Sequence, residues 1–132
     1  MTLSQLQLAI LDVLWTRGEA TVAEVQEALQ EERALAYSTV ATLLSRLEQK
    51  GAVSHRAEGR VFFYRAEVRE EEVSNSLVSD LLSRVFDGSP AELVSHLLEA
   101  HEVDAGELAR IKAMVTRHEK NGSKRKGGGH GA

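Results

Sequence analysis

The sequence lacks cysteine and long hydrophobic runs, and both absences limit what the protein can be. Without cysteine, the chain forms neither a disulfide nor a thiolate metal site. Its apolar stretches are short and interrupted by charge, so we expect no insertion into a membrane. The stretch 1-MTLSQLQLAILD-12 has neither the basic start nor the cleavage-type end of a signal peptide, and we interpret it as a helix. These features predict a cytoplasmic protein.

The motifs of the common enzyme classes are also missing. There is no Gly-rich phosphate loop, no nucleophile elbow and no cluster of His and Glu at metal-ligand spacing. His96 and His101 lie five residues apart beside a helix end without a carboxylate framework, and such histidines are more often surface or interface residues than ligands. The sequence therefore predicts a protein that is not an enzyme and holds no metal or cofactor.

An overall excess of positive charge is missing too, because the net charge is −4. The charge is nevertheless uneven. Residues 33–65 contain six basic and two acidic residues, a local charge of +4, whereas residues 68–121 contain six basic and 11 acidic residues, a local charge of −5. The local field matters more than the total charge for binding a polyanion. A chance fluctuation among solvated surface charges is the alternative.

What the sequence does contain is a series of amphipathic helices and one hairpin pattern. Apolar stripes predict helices near residues 5–15, 21–32 and 37–50, with Thr21 and Glu24 forming a capping box. The runs 52–57 and 61–66 have strand character, and Glu58-Gly59 between them predicts a hairpin turn. The fold class is therefore mainly α with a small β-hairpin.

Helical stripes resume after residue 68, and one of them opens with Ser89, Pro90 and Glu92 as N-cap, N1 and N3 residues. The tail 121-NGSKRKGGGHGA-132 is rich in Gly and Lys and is predicted to be disordered. Lys124, Arg125 and Lys126 would either add non-specific DNA affinity or only keep the tail solvated. The predicted organisation is an N-terminal domain over 1–67, a helical region over 68–120 and a tail over 121–132.

Three helices followed by a hairpin are typical of a winged helix-turn-helix, whose second motif helix enters the DNA major groove. In the helix at 37–50, Val40, Leu43, Leu44 and Leu47 form an inward face. The other face presents hydroxyl groups, small side chains and an arginine that can contact phosphates and base edges. Its members are Tyr37, Ser38, Thr39, Ala41, Thr42, Ser45 and Arg46, and Arg60 extends it from the wing.

Two alternatives compete with DNA recognition. Ser38 and Thr39 would serve only as helix caps, and Arg46 would be a solvated charge paired with a neighbour such as Glu48. Alternatively, the protein would be a winged-helix protein-interaction module without sequence-specific DNA binding. A module of that kind is expected to present apolar or acidic groups on this helix, where the sequence has hydroxyls and arginine.

The segments 38-STVATLLSRLEQKGAV-53 and 59-GRVFFY-64 resemble the penicillinase repressor (BlaI/MecI/CopY) family of bacterial transcriptional repressors, and the likeness spans about residues 3–120. The resemblance implies a homodimer that binds a palindromic operator with ACA/TGT-like half-sites, through the helix at 38–50 and the wing at 58–61. By the same resemblance, the DNA-contacting residues would be Ser38, Thr39, Ala41, Thr42, Arg46 and Arg60, with Lys50 in support.

The helices over 69–119 support dimerisation on independent grounds. They contain more Leu, Ile, Val and Phe than they can bury among themselves, and exposed stripes of that size are unusual on a monomer. The alternative is that they fold back onto the winged domain. The predicted dimer residues are Val73, Leu77, Leu81, Leu82, Val85, Phe86, Leu93, Leu97, Leu98, Leu108, Ile111 and Val115.

The resemblance also implies how such a repressor is released. In β-lactam-responsive members, a membrane metalloprotease-type sensor leads to cleavage of an Asn-Phe bond in the dimerisation region. This chain has His96-Leu97 at the equivalent place, within 94-VSHLLEA-100, so cleavage here would need a differently tuned protease. Copper-responsive members carry a C-terminal cysteine cluster, and the lack of cysteine excludes copper sensing by that route.

Overall fold

The computed structural model describes residues 2–129, with side chains described for residues 2–122. Within these residues, the mainly helical fold with one antiparallel hairpin is confirmed, and no helix is long and apolar enough to cross a bilayer. The elements are α1 (Gln5–Arg17), α2 (Val22–Leu29), α3 (Tyr37–Gln49), β1 (Val53–Glu58), β2 (Val61–Ala66), α4 (Glu70–Val85), α5 (Pro90–Ala100) and α6 (Ala105–Gly129).

The first two helices begin with reciprocal capping boxes. Thr21 Oγ1 accepts from the Glu24 backbone N–H at 3.1 Å, and Glu24 Oε1 accepts from the Thr21 N–H at 2.9 Å, as the sequence predicts. Ser4 and Gln7 form the same pair of bonds at the start of α1. Each box satisfies backbone donors that a helix start otherwise leaves without partners. The capping residues therefore fix where α1 and α2 begin.

The hairpin turn lies one residue later than the sequence predicts. Glu58 pairs with Val61, so the two turn residues are Gly59 and Arg60 rather than Glu58 and Gly59. The reason is conformational: a two-residue hairpin turn can require a positive φ at its first residue, and Gly59, with a φ of 63°, takes that position only when Arg60 is the second turn residue. This places Arg60 at the tip of the wing. The base of the wing is joined to the loop before α2 by two backbone hydrogen bonds between Ala20 and Tyr64, at 2.8 and 3.0 Å.

The first compact unit, Met1–Leu81, has a core built from α1, α2, α3 and the hairpin. From α3, Val40, Leu44 and Leu47 are fully buried, at the i, i+4, i+7 spacing of one helix face. Leu43, also predicted to face inward, packs at the edge of this core and is partly buried. The apolar face of α3 is thus committed to packing, which leaves the opposite face to solvent.

The second compact unit, Leu82–Ala132, contains the end of α4 together with α5 and α6. Ser89 caps α5, with Pro90 at its first position, as predicted, and Ser89 Oγ accepts from the Glu92 N–H at 3.2 Å. The two units divide within α4, between Leu81 and Leu82. Val73 of α4 is buried in the first unit, beside Leu3 and Val68.

The last helix is longer than the sequence predicts. It extends to Gly129, so residues 121–129, which the sequence predicts to be disordered, are helical here. Helix formation is cooperative, and once residues 105–120 have formed the helix each further residue adds a hydrogen bond without a new nucleation cost. Residues 130–132 of the predicted tail, including His130, lie outside the described residues.

Candidate nucleic-acid interface

The outward face of α3 carries polar side chains without partners in the described part of the protein. Ser38, Thr39, Thr42, Ser45 and Arg46 are all exposed. The helix begins after Ala36, and no side chain caps it. Ser38 and Thr39 therefore do not serve as helix caps, in contrast to Ser4 and Thr21. Their hydroxyl groups are left available for an external ligand, and Ser38, Thr42 and Ser45 share one side of the helix by their spacing.

Two arginines extend this face without a neutralising acid. Among the residues the structure describes, neither Arg46 nor Arg60 forms an ion pair or a side-chain hydrogen bond. Glu48, the partner considered for Arg46, instead accepts from His55 Nδ1, which lies 2.7 and 2.9 Å from its two carboxylate oxygens. Arg46 on α3 and Arg60 on the wing therefore contribute full positive charges to the surface, so the ion-pair alternative for Arg46 does not hold.

Other basic residues of the same region are structural. Arg56 binds Glu19 through two bonds, at 2.7 and 2.8 Å, and Glu58 through a third at 2.9 Å. Its guanidinium also lies 4.4 Å from the Phe63 ring centroid. The hydrogen bonds that Arg56 donates to Glu19 and Glu58 raise the pKa of Arg56, and those it donates to Glu19 lower the pKa of Glu19. Arg56 therefore braces β1 against the loop before α2.

The same holds for Arg65, whose Nε donates to Glu67 at 3.1 Å. The hydroxyl of Ser54 also binds that carboxylate. The local charge of +4 counted over residues 33–65 omits Glu19 and Glu67, so it overstates the positive charge that a ligand would meet. Sequence reasoning missed the Arg56–Glu19 brace because its partners are 37 residues apart, and no local pattern links them.

Lys50 lies at the far end of α3 from the polar first turn. Its Nζ donates to the Thr2 carbonyl at 2.5 Å and to Gln7 Oε1 at 3.1 Å. Lys50 is the C-cap residue of α3, and at 1.5 Å per residue it lies roughly 18 Å along the axis from Ser38. The side chain thus ties the end of α3 to the start of α1. Its supporting contact with DNA stays a prediction.

A cluster of aromatic rings connects the wing to α3. The His55 ring stacks on Phe62, with centroids 4.2 Å apart, and lies 5.4 Å from the Tyr64 ring. Tyr64 is buried, and this burial raises its pKa. A cleft of about 440 Å³ opens between this cluster and the first turn of α3, where Tyr37 is exposed and Ala41 is half-buried. Arg60 also lines the cleft.

Most of the predicted dimer residues are incompletely covered, with Val85, Val115 and Leu97 at 63%, 54% and 46% exposure. Leu77, Leu81 and Leu98 are also exposed, and half-buried positions are Leu82, Phe86, Leu93, Leu108 and Ile111. Val73 differs, because only 8% of its surface is exposed and it packs within the first unit.

The two residues of the predicted cleavage region lie in the middle of α5. His96 contacts Phe86 edge to face, with ring centroids 5.7 Å apart, and Leu97 follows in regular helix. His101 ends the same helix. Across the described residues, no three or more His, Asp or Glu side chains are grouped so as to hold a metal ion.

Comparisons with known proteins agree with this geometry. The sequence matches the penicillinase repressor family over residues 3–117. The transcriptional regulator BlaI of Mycobacterium tuberculosis is 38% identical over 108 residues, which cover 78% of each chain. The penicillinase repressor of Bacillus licheniformis is 28% identical over 116 residues, covering 88% of this chain and 91% of that protein.

Among solved structures, a MarR family protein from Bacillus stearothermophilus aligns with a TM-score of 0.53 at 18% identity, covering 93% of this chain and 77% of that one. At this identity the likeness shows a shared fold. The family match covers both the winged unit and the helices that follow it, and it confirms the resemblance seen in the sequence motifs. This chain belongs to the penicillinase repressor family of DNA-binding transcriptional repressors, and it is not an enzyme.

Proposed function

We propose that this protein is a homodimeric repressor that binds a palindromic operator through α3 and the tip of the wing. The observation that carries the proposal is the outward face of α3, where exposed hydroxyls and an unpaired arginine remain without partners in the described structure. In the free protein these side chains face water, and a ligand rich in acceptors can take the place of that water. Duplex DNA supplies them as phosphate oxygens and base edges.

Each side chain has a distinct role in this proposal. Ser38 and Thr39, in the first turn, donate to phosphates, while Thr42 reaches base edges one turn later. The Ala41 methyl group contacts a thymine methyl. Arg46 donates to guanine or to phosphate. From the wing tip, Arg60 reaches the backbone or the minor groove. Division of labour between base and phosphate contacts is general in DNA recognition, because phosphates set the register and bases set the sequence.

Dimerisation is proposed from the apolar side chains that α4, α5 and α6 leave in solvent. Leu81, Val85, Leu97 and Val115 are each more than 40% exposed, and contiguous apolar surface is rarely left uncovered on a monomer. A second copy of the chain is the partner that presents the same surface. Two-fold symmetry in the protein then implies two half-sites of opposite orientation in the DNA, hence a palindromic operator.

Release by proteolysis within α5, near His96 and Leu97, is proposed from the family alone, with a membrane metalloprotease-type sensor as the partner. Cleavage there would separate α6 and its apolar residues from the rest of the dimer surface. Mass spectrometry of the protein recovered from induced cells should then give an N-terminal fragment that ends near His96. Recovery of only intact chain from cells in which the target gene has been switched on would rule this route out.

Operator binding is tested by electrophoretic shift with the promoter of the protein's own gene and with an unrelated duplex of equal length. We expect a specific complex with the promoter at low salt that weakens steeply as salt rises, because each neutralised phosphate releases counterions. A folded protein that binds both duplexes equally at every salt concentration would contradict the proposal. The complex should also contain two chains per duplex when its mass is measured by sedimentation.

A further inference from the structure

The cleft between the wing and the start of α3 is lined in part by two aromatic rings that the contacts proposed above do not use. Tyr37 and Ala41 line it from α3, and Phe62 lines it from β2. Because Tyr37 and Ala41 are four residues apart, they share a helix side, and this side adjoins that of Ser38 and Thr42. The cleft therefore borders the base-reading face and continues the DNA-facing surface toward the wing.

Two large rings are exposed at this cleft. Tyr37 is 56% exposed and Phe62 is 45% exposed. Phe62 is also held in place: its ring stacks on His55, and the His55 ring is bound to the carboxylate of Glu48 on α3. The wing-side wall of the cleft is thus fixed before any ligand arrives, which lowers the ordering cost of binding.

The charge of the cleft identifies the kind of ligand. Among the described residues that line it, Arg60 is the only charged one, and its guanidinium has no partner. An occupant that matches this lining combines an anionic group with an apolar face of its own. The deoxyribose-phosphate chain has both, since its phosphates are anionic and its sugars present C–H surfaces between them.

We propose that this cleft seats the sugar-phosphate backbone of one operator strand, with Arg60 bound to a phosphate and with Tyr37 and Phe62 packed against the adjoining deoxyriboses. The inference rests on the proposed operator binding and adds Tyr37 and Phe62 to it as positioning residues. The Tyr37 hydroxyl supplies a further donor to phosphate. Because the backbone is the same at every base pair, these contacts hold α3 in register without reading sequence.

Apolar contacts to sugars and charged contacts to phosphates should affect the salt dependence of binding differently. Apolar packing on sugars releases no counterions, so removing a ring should weaken binding without changing its salt dependence. Tyr37→Ala and Phe62→Ala should each weaken binding to the promoter and to an unrelated duplex by the same factor, about tenfold if a ring's worth of buried apolar area is lost. Arg60→Ala should lower the salt slope by about one per subunit, whereas Arg65→Ala on β2, next to that turn, should not, because Arg65 is already paired with Glu67.

Conservative variants separate contact from folding. Phe62→Tyr keeps the ring and should bind nearly as wild type, whereas Tyr37→Phe should lose only the hydroxyl contribution. Phe62→Ala removes the stacking on His55, and this loss could lower the melting temperature. In that case Tyr37→Ala is the variant that tests whether the cleft contacts DNA, because the Tyr37 ring is exposed at the first position of α3. A promoter carrying one neutral methylphosphonate linkage at a time should lose affinity for the wild type at several positions per half-site, and Arg60→Ala should remove the sensitivity at one of them, the phosphate that Arg60 contacts.

The outcomes distinguish this inference from the function on which it rests. If the wild type does not prefer the promoter to the unrelated duplex, the proposed function fails. If the wild type prefers it and Arg46→Ala weakens binding, but Tyr37→Ala and Phe62→Ala bind as tightly as wild type, the cleft does not contact DNA and only the inference is overturned. A loss that is larger on the promoter than on the unrelated duplex would also overturn it, because the rings would then be reading sequence.

Discussion

The winged unit and the C-terminal helices are built from similar amphipathic patterns, yet they use them in opposite ways. In the winged unit, Ile10, Leu44 and Leu47 are fully buried, so the stripes of its helices are covered within one chain. In the C-terminal unit, Leu97 and Val115 keep about half of their surface in solvent. A helical stripe in a sequence therefore predicts that an apolar face will be covered, but it does not say by which chain.

The largest expected effect is on the free energy of unfolding, when a fully buried residue of the winged core is truncated. Leu44→Ala should lower the free energy of unfolding by about 2–5 kcal/mol, because it removes a fully buried side chain and leaves a cavity. Leu97→Ala, which truncates an exposed leucine, should leave the unfolding of a dilute sample almost unchanged. Urea titrations followed by circular dichroism measure both. Equal destabilisation by the two variants would show that the C-terminal helices are already packed within one chain.

The second test concerns association. Leu81→Asp places a charge on an exposed apolar position of α4, and it should raise the dimer dissociation constant by at least about a hundredfold, because a buried unpaired carboxylate is costly. Sedimentation velocity measures the change, and Ser79→Asp, an exposed polar position of the same helix, provides the control for added charge. If the Leu81→Asp protein still sediments as a dimer, the dimer interface does not lie on α4.

The third test compares free and paired arginines within the winged unit. Arg46→Ala should weaken promoter binding about tenfold or more and lower the salt slope by about one per subunit, because an unneutralised charge is removed from the DNA-facing surface. Arg65→Ala removes an arginine that already binds Glu67, so the slope should stay as in wild type. If both slopes fall equally, ion pairing in the free protein does not decide which arginines meet DNA.

The smallest expected effect is on the pH dependence of stability. The Glu24 pKa lies below its ordinary value, chiefly because the Thr21 backbone N–H donates to the carboxylate. A depressed folded-state pKa contributes stability above the ordinary glutamate pKa, and the contribution is lost as pH falls through the depressed value. Wild type should therefore lose slightly more stability than Glu24→Gln between neutral pH and about pH 3 in melting curves. The contribution is small because Glu24 is partly exposed.

Local features were predictable because their causes are local. The capping box at Thr21 and Glu24, the Ser89-Pro90 start of α5 and the buried face of α3 all follow from residues within one or two turns of each other. The hairpin turn was misplaced by one residue because strand register depends on pairing across the hairpin, which Glu58-Gly59 alone does not fix. The helical extension of α6 depends on cooperative propagation rather than on composition.

Contacts between distant segments could not be predicted in the same way. Nothing in the sequence near Arg56 distinguishes it from Arg60, yet Glu19 neutralises the first and no described acid neutralises the second. Lys50 likewise resembles a DNA-contacting residue in its motif, but its ammonium group binds Thr2 and Gln7. The residues that Arg56 and Lys50 contact were brought near only by the fold, and because Glu19 neutralises Arg56, the charge count over residues 33–65 overstated the positive charge.

The single tryptophan gives the protein an optical reporter at an informative place. Trp15 Nε1–H donates to the Val68 carbonyl at 2.9 Å, and Val68 lies just before the start of α4. Indole emission shifts to longer wavelength and becomes easier to quench when the ring is released into water. Fluorescence of the unlabelled chain therefore reports whether the segment leaving the wing stays fastened to α1, and stopped-flow mixing with DNA would time any change there without an introduced dye.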